Sequence, residues 1–166
     1  MSVTIREYNE QDLPVITDIW NEVVDEGMAF PQTEPMTLEQ AKQFFAEQDF
    51  TAVSQDENGH VTGLYILHPN NIGRCGHIAN ASYAVASSLR GKGTGRILVE
   101  HSLKKAAELG FGVMQFNAVV ANNERALKLY ESIGFVKLGV IPQGFRLKNG
   151  VYEDIVLFYY PLDKLK

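Results

Sequence analysis

The chain has 166 residues, 45% of them hydrophobic and 21% charged, which allows one domain (1–166) that buries about two-thirds of its unfolded surface and excludes disordered or collagen-like chains. No apolar run reaches the roughly 18 residues of a membrane-spanning helix, the N-terminus lacks the basic start and apolar stretch of a signal peptide, and Cys75 is a single cysteine, so a cytoplasmic protein that binds no membrane is expected. The net charge of -5 divides into 13 acids against 2 bases over residues 1–60 and 7 against 13 over 61–166, and such a chain offers no broad basic face for nucleic acid.

Val3 to Tyr8 alternates as a strand, and Asn9 or Asp12 supplies a cap for a helix from Leu13 to Glu26 with its apolar stripe on Leu13, Ile16, Trp20, Val23 and Val24. After Pro31 and Pro35, Thr37 with Gln40 three residues on reads as a capping box opening a helix from Leu38 to Glu47. Phe50–Gln55 and His60–Leu67 flank Asp56-Glu57-Asn58-Gly59, a hairpin signal. A loop, His68–Gly76, leads to a central strand, His77–Val85. Next come a helix stopped by Gly110, a strand Met114–Val120, and a helix Glu124–Ile133 closed by Gly134. Val136–Ile141 and Tyr152–Tyr160, separated by Gly144 and by Lys148-Asn149-Gly150, make a terminal pair of strands.

The window from Arg90 to Lys105 gathers Arg90, Lys92, Arg96, Lys104 and Lys105 against Glu100 alone, so a phosphate is sought there first. Its leading segment, Arg90-Gly91-Lys92-Gly93-Thr94-Gly95-Arg96, joins a predicted strand to a predicted helix, where backbone N–H groups and the helix's positive end can converge on an anion. The spacing is neither that of a Walker A loop nor that of a dinucleotide fingerprint. An ordinary turn with exposed charges is the alternative.

In Arg90, Gly93 and Gly95 this loop resembles the acetyl-CoA loop of the GNAT acetyltransferases, Arg/Gln-x-x-Gly-x-Gly/Ala. Downstream, Asn123 to Phe135 resembles the family's second motif, Asn-x-x-Ala-x-x-x-Tyr-x-x-x-Gly-Phe, through Asn123, Ala126, Tyr130, Gly134 and Phe135. The resemblance implies an α/β (α+β) GNAT fold with a mixed sheet of about seven strands, splayed at the middle and flanked by about four helices. It also implies acetyl-CoA as co-substrate, its pantetheine arm lying between the strand that ends near Val85 and the strand from Phe116 to Val120. The pyrophosphate would sit on Gly91, Lys92, Gly93, Thr94, Gly95 and Arg96. Asn123 would bond the arm or cap its helix.

Acetyl transfer to an amine needs an unprotonated nucleophile, a donor for the carbonyl oxygen as it gains charge, and an acid for the leaving thiolate. The resemblance assigns the acid to Tyr130, whose alternative is ring packing against the sheet; a backbone N–H near Val85 is the candidate donor. Many relatives carry a glutamate near the central strand as base, and His77–Val85 has no carboxylate. His77, Glu26 and Glu34 are the candidates in its place, with water as the alternative. His60, His68 and His101 show no metal spacing, and no metal is expected.

Two narrower resemblances concern the acceptor. His68 to Asn80 with Phe116-Asn117 resembles a fungal subgroup that N-acetylates azetidine-2-carboxylate, in which asparagines matching Asn80 and Asn117 hold or orient the amino acid. Asn21, Glu22, Phe30, Pro35 and Thr37 resemble phosphinothricin-type acetyltransferases. A small amine or amino acid is the acceptor so implied, and dimers in the family imply a homodimer by analogy. For the two asparagines, hydrogen bonding to backbone is the structural alternative. A protein acetyltransferase and a non-catalytic acyl-CoA sensor are the competing functions.

Overall fold

A computed structural model describes residues 2–165. In chain order it contains β1 (Thr4–Glu7), α1 (Leu13–Glu26), α2 (Leu38–Ala46), β2 (Phe50–Gln55), β3 (Val61–Pro69), β4 (Ile78–Val85), α3 (Thr94–Glu108), β5 (Val113–Val120), α4 (Glu124–Ile133), β6 (Val136–Arg146) and β7 (Tyr152–Pro161). The strands form one sheet in the order β1-β2-β3-β4-β5-β7-β6. Only the β4–β5 pairing is parallel. This is the expected mixed sheet of seven strands with four α-helices.

Both faces of the sheet are covered. α1 and α2 bury Ile16, Trp20, Val23, Ala41 and Phe45 against Val53, Leu64, Ile66 and Ala84 on one face. On the other, α3 buries Leu98, Val99, Leu103 and Ala106 against Tyr65, Leu67, Ala79, Met114 and Phe158, with α4 added through Leu127, Leu129, Tyr130 and Ile133. A strand buried on both faces reads as a continuous apolar run, which is why Leu64-Tyr65-Ile66-Leu67 does not alternate with polar residues. Side-chain caps mark the start of α2 and of the short turn that leads into α1, while Asp12, the N-cap of α1 itself, makes no side-chain cap bond. Asn9 and Asp12 form a capping box over the short turn before α1, and Thr37 and Gln40 form one over α2.

One feature of this sheet builds the site. β4 and β5 are in register only at Ile78–Val113 and Ala79–Met114. Beyond these the strands part, and β5 shifts register against β7 between Phe116 and Val119. Asn70 N–H donates to Ile78 O (2.7 Å) and Ala86 N–H to Thr62 O (3.0 Å), so even-numbered residues of β4 turn their backbone groups toward β3. Ala81, Tyr83 and Val85 therefore turn theirs toward the opening.

The terminal strands differ from expectation in one respect. β6 runs on past Ile141 to Arg146, and Gly144, read as a separator, lies inside it. The register slips between Ile141 and Phe145, and Gln143 takes a positive φ of 53° with its N–H on Asp154 Oδ1 (2.9 Å). A Cβ on Gly144 would lie 2.5 Å from Ile155 Cγ1, so glycine here permits a bulge against β7 rather than a turn. The turn is made by the second signal alone, where Leu147 N–H bonds Val151 O at 2.8 Å.

Candidate active site

The parting of β4 and β5 opens a cleft of about 240 Å³. Asn80, Ala81, Ser82 and Tyr83 line it from β4, Phe116 to Val120 from β5, Asn123, Ala126 and Tyr130 from the start of α4, and Ala29, Phe30 and Pro31 from the loop after α1. Tyr83 and Tyr130 pack on the α3–α4 side, whereas Phe30 packs on the α1–α2 side. The cleft is therefore lined from both faces of the sheet. Its wall at Phe30 is held firmly: the ring sits 4.3 Å from that of Trp20, and Asn21 exchanges two 2.8 Å hydrogen bonds with the backbone of Met36.

At one end lies the glycine loop. Gly91 and Gly93 have φ of 80° and 88°, conformations that favour glycine, and Gly93 caps α3. Nothing stands within 4 Å of where a Gly93 Cβ would be, so the backbone there is open to a ligand at a helix N-terminus. Arg90 and Arg96, however, turn to protein partners. The Arg90 guanidinium makes paired bonds to Glu26 (2.9 and 2.7 Å) and donates through Nε to Val85 O (3.2 Å). Arg96 bonds Glu100 (3.1 Å) and, across to α4, Ser132. Both side chains tie elements together, and what Arg96 offers an anion is its backbone N–H. An exposed cation outside the Arg90–Lys105 window also reaches the loop: Arg125, in the first turn of α4, has its Nη1 3.6 Å from the site of a Gly91 Cβ. Its only sequence signal was its place one turn inside the second motif.

The three residues assigned to chemistry do meet at the cleft. The Tyr130 ring is packed 4.6 Å from Phe116 and 5.9 Å from Phe158, and burial pushes its phenol well above the ordinary value. Asn80 Nδ2 donates to Gln115 O (2.9 Å), bridging the strands where they begin to part. Asn117 Nδ2 donates to Asn70 Oδ1 (2.6 Å), and its Oδ1 accepts from Gln115 Nε2 (3.1 Å). Asn80 thus realises the backbone-bonding alternative and still presents Oδ1. Asn123 Oδ1 accepts from Ala126 N–H (3.2 Å), so it caps α4 and keeps its amide nitrogen for a further bond.

Comparison with known proteins fits this arrangement. The sequence profile of the acetyltransferase (GNAT) family matches residues 16–135. The chain belongs to the GNAT acetyltransferase family. It is 30% identical over 174 residues to the N-acetyltransferase aca1 of Schizosaccharomyces pombe, covering 95% of this chain and 83% of that one. It is also 30% identical over 169 residues to the L-methionine sulfoximine/L-methionine sulfone acetyltransferase of Pseudomonas aeruginosa, covering 98% and 96%. The structure of yncA from Salmonella typhimurium with its cofactor acetyl-CoA superposes with a TM-score of 0.85 at 26% identity, over 98% of this chain and 95% of that one. This GNAT protein is accordingly an N-acetyltransferase, and acetyl-CoA is its co-substrate.

Within the GNAT frame the candidate bases fare unequally. His77 is exposed at the closed end of the β4–β5 pair, where Gly112 N–H bonds its carbonyl at 2.9 Å. Glu34 is exposed in the loop before α2. Both carboxylate oxygens of Glu26 are held by Arg90. None of the three lines the cleft, whose lining holds no acid and no histidine. Among the described residues no helix is long and apolar enough to cross a membrane.

Proposed function

We propose that the protein acetylates the amine of a small amino acid or analogue, by direct attack on acetyl-CoA while both substrates are bound. The observation that carries this reading is the cleft between β4 and β5: uncharged, about 240 Å³, and lined on its α1–α2 side by Phe30, Pro31, Asn80 and Asn117. A cleft of that size suits a small acceptor, and the two carboxamides suit the carboxylate and amine of an amino acid. The Pseudomonas aeruginosa relative is named for acceptors of this kind.

The steps follow from the groups around the opening. The pyrophosphate rests on the N–H groups of Gly91 to Arg96, with Lys92 and Arg125 as the charged side chains. The pantetheine amides pair with backbone groups of β4 that β5 leaves free, as an added strand would. The unprotonated amine attacks the thioester carbonyl, whose oxygen gains charge facing the Val85 N–H. The C–S bond then breaks, the thiolate takes the Tyr130 proton, and Tyr130 is reprotonated from water by the equivalent that the amine releases. Because burial raises the Tyr130 phenol, it stays protonated across neutral pH and acts as donor rather than base. With no acid or histidine in the cleft lining, the amine's proton leaves through water.

The homodimer implied by analogy would have a surface at the sheet edge, where β6 exposes Val136, Leu138, Val140 and Ile141. The acceptor class is tested by comparing an amino acid with its decarboxylated amine in wild type and Asn80→Ala. The expected result is that wild type prefers the amino acid by about 10-fold or more in kcat/KM and that the variant loses most of that preference. Equal use of both amines by wild type would contradict a carboxylate-reading acceptor site.

A further inference from the structure

α1 ends against its own dipole. Glu22, Asp25 and Glu26 crowd its last turns, where the helix's negative end disfavours acids, and no basic residue of α1 stands there. The cations come from elsewhere in the chain. Lys148 of the β6–β7 turn approaches Asp25 at 3.4 Å, and Arg90 meets Glu26 in a two-bond fork, with Glu22 at 3.7 Å. Glu22 also accepts the Ser87 N–H at 2.8 Å. Two acids one helical turn apart are therefore aimed together at the segment between β4 and the phosphate loop. Local helix energetics oppose that placement, so a tertiary reason is called for.

We infer that Arg90 and Glu26 form a positioning latch that locks the acceptor wall to the carbonyl-oxygen site and to the phosphate loop. The inference rests on reading the cleft as the transfer site. Glu26 is followed by the segment 27–31 that carries Ala29, Phe30 and Pro31 into the cleft. Arg90 Nε holds Val85 O at 3.2 Å, in the peptide plane whose other group, the Ala86 N–H, is held by Thr62 O at 3.0 Å; this anchors the end of β4 on which the Val85 N–H sits one peptide earlier. The residue after Arg90 opens the glycine turn. One guanidinium thus sets three parts of the site relative to one another, through a planar fork that a lysine could not reproduce. The latch also accounts for an arginine at the first position of the loop whose side chain turns to Glu26.

A double-mutant cycle tests this. Arg90→Ala, Glu26→Gln and the pair of both are compared in acetyl-CoA affinity by calorimetry, in acceptor kcat/KM by thiol release, and in amide hydrogen exchange of residues 27–33. Each single variant is expected to lower acceptor kcat/KM by about 10-fold, the double variant no further, and acetyl-CoA affinity to move by less than about 3-fold. Protection of 27–33 should fall alike in all three, and the reversed pair Arg90→Glu with Glu26→Arg should recover part of both losses. Loss of acetyl-CoA affinity in Arg90→Ala but not in Glu26→Gln would make Arg90 a phosphate ligand and overturn the latch. Additive effects or unchanged protection would overturn it as well. Absence of turnover with every amino acid in wild type would instead remove the acceptor reading, and the exchange measurement would still decide the latch.

Discussion

Tyr130 is held by aromatic neighbours on three sides, with Phe116, Phe135 and Phe158 within 6 Å between ring centroids, so its hydroxyl is placed by the body of the ring rather than by a hydrogen bond. Tyr130→Phe keeps that packing and removes the proton donor. It should lower kcat by at least about 10-fold while leaving acetyl-CoA affinity within about 2-fold; single-turnover rates beside calorimetric affinities check the split, and an unchanged kcat would remove Tyr130 as the acid. Arg125 acts on the other substrate property. Its guanidinium lies against the Gly91 turn with no protein partner among the described residues, so Arg125→Ala should weaken acetyl-CoA by about 3- to 10-fold, more at low salt than at high, with little change in kcat. Calorimetry over a salt series reads both parts.

At the scale of elements, β1 is joined to the start of α1 by one buried carboxylate. Asp12 takes both Arg6 nitrogens (2.7 and 2.9 Å) and the Asn9 N–H (2.8 Å), and the Arg6 bonds hold its carboxyl below the usual carboxylate range. A carboxyl depressed in the folded state stabilises above its unfolded pKa and loses that contribution as pH falls through the folded one. Asp12→Asn should therefore cost about 1–2 kcal/mol at neutral pH and flatten the fall of the urea midpoint below about pH 4. Such pairings mark what the sequence could and could not disclose. The stripe of α1, the capping box of Thr37 and Gln40, the hairpin at Asn58-Gly59 and the two motifs are local patterns, and they locate the helices, the glycine loop and Tyr130. Glu26 lies 64 residues from Arg90 and Ser132 36 residues from Arg96, and no spacing rule reaches these partners, whereas Glu100, four residues after Arg96, is within one. Gly144 in the sequence fits a separator between strands as well as a bulge within one, and the Ile155 side chain across the strand pair tells the two apart.

For the molecule as a whole, the sheet does the organising. β4 and β5 meet long enough to set their directions and then part, which brings the loop after α1 and the motif residues of α4 to one opening between two separate cores. The division of charge follows the same line: the acid-rich residues 1–60 include the cleft wall at Ala29, Phe30 and Pro31, and the basic window from Arg90 onward begins with the glycine loop. The central claim is transfer of the acetyl group to a small amino acid at that opening, with Tyr130 as proton donor. It is tested most directly by release of free CoA thiol from acetyl-CoA against a panel of small amino acids, proline analogues, methionine sulfoximine, polyamines and basic peptides, with Tyr130→Phe as control. The account predicts release that depends on an amino acid or its analogue and is largely lost in Tyr130→Phe; release driven by the peptides alone, or saturable acetyl-CoA binding with no release from any acceptor, would contradict it.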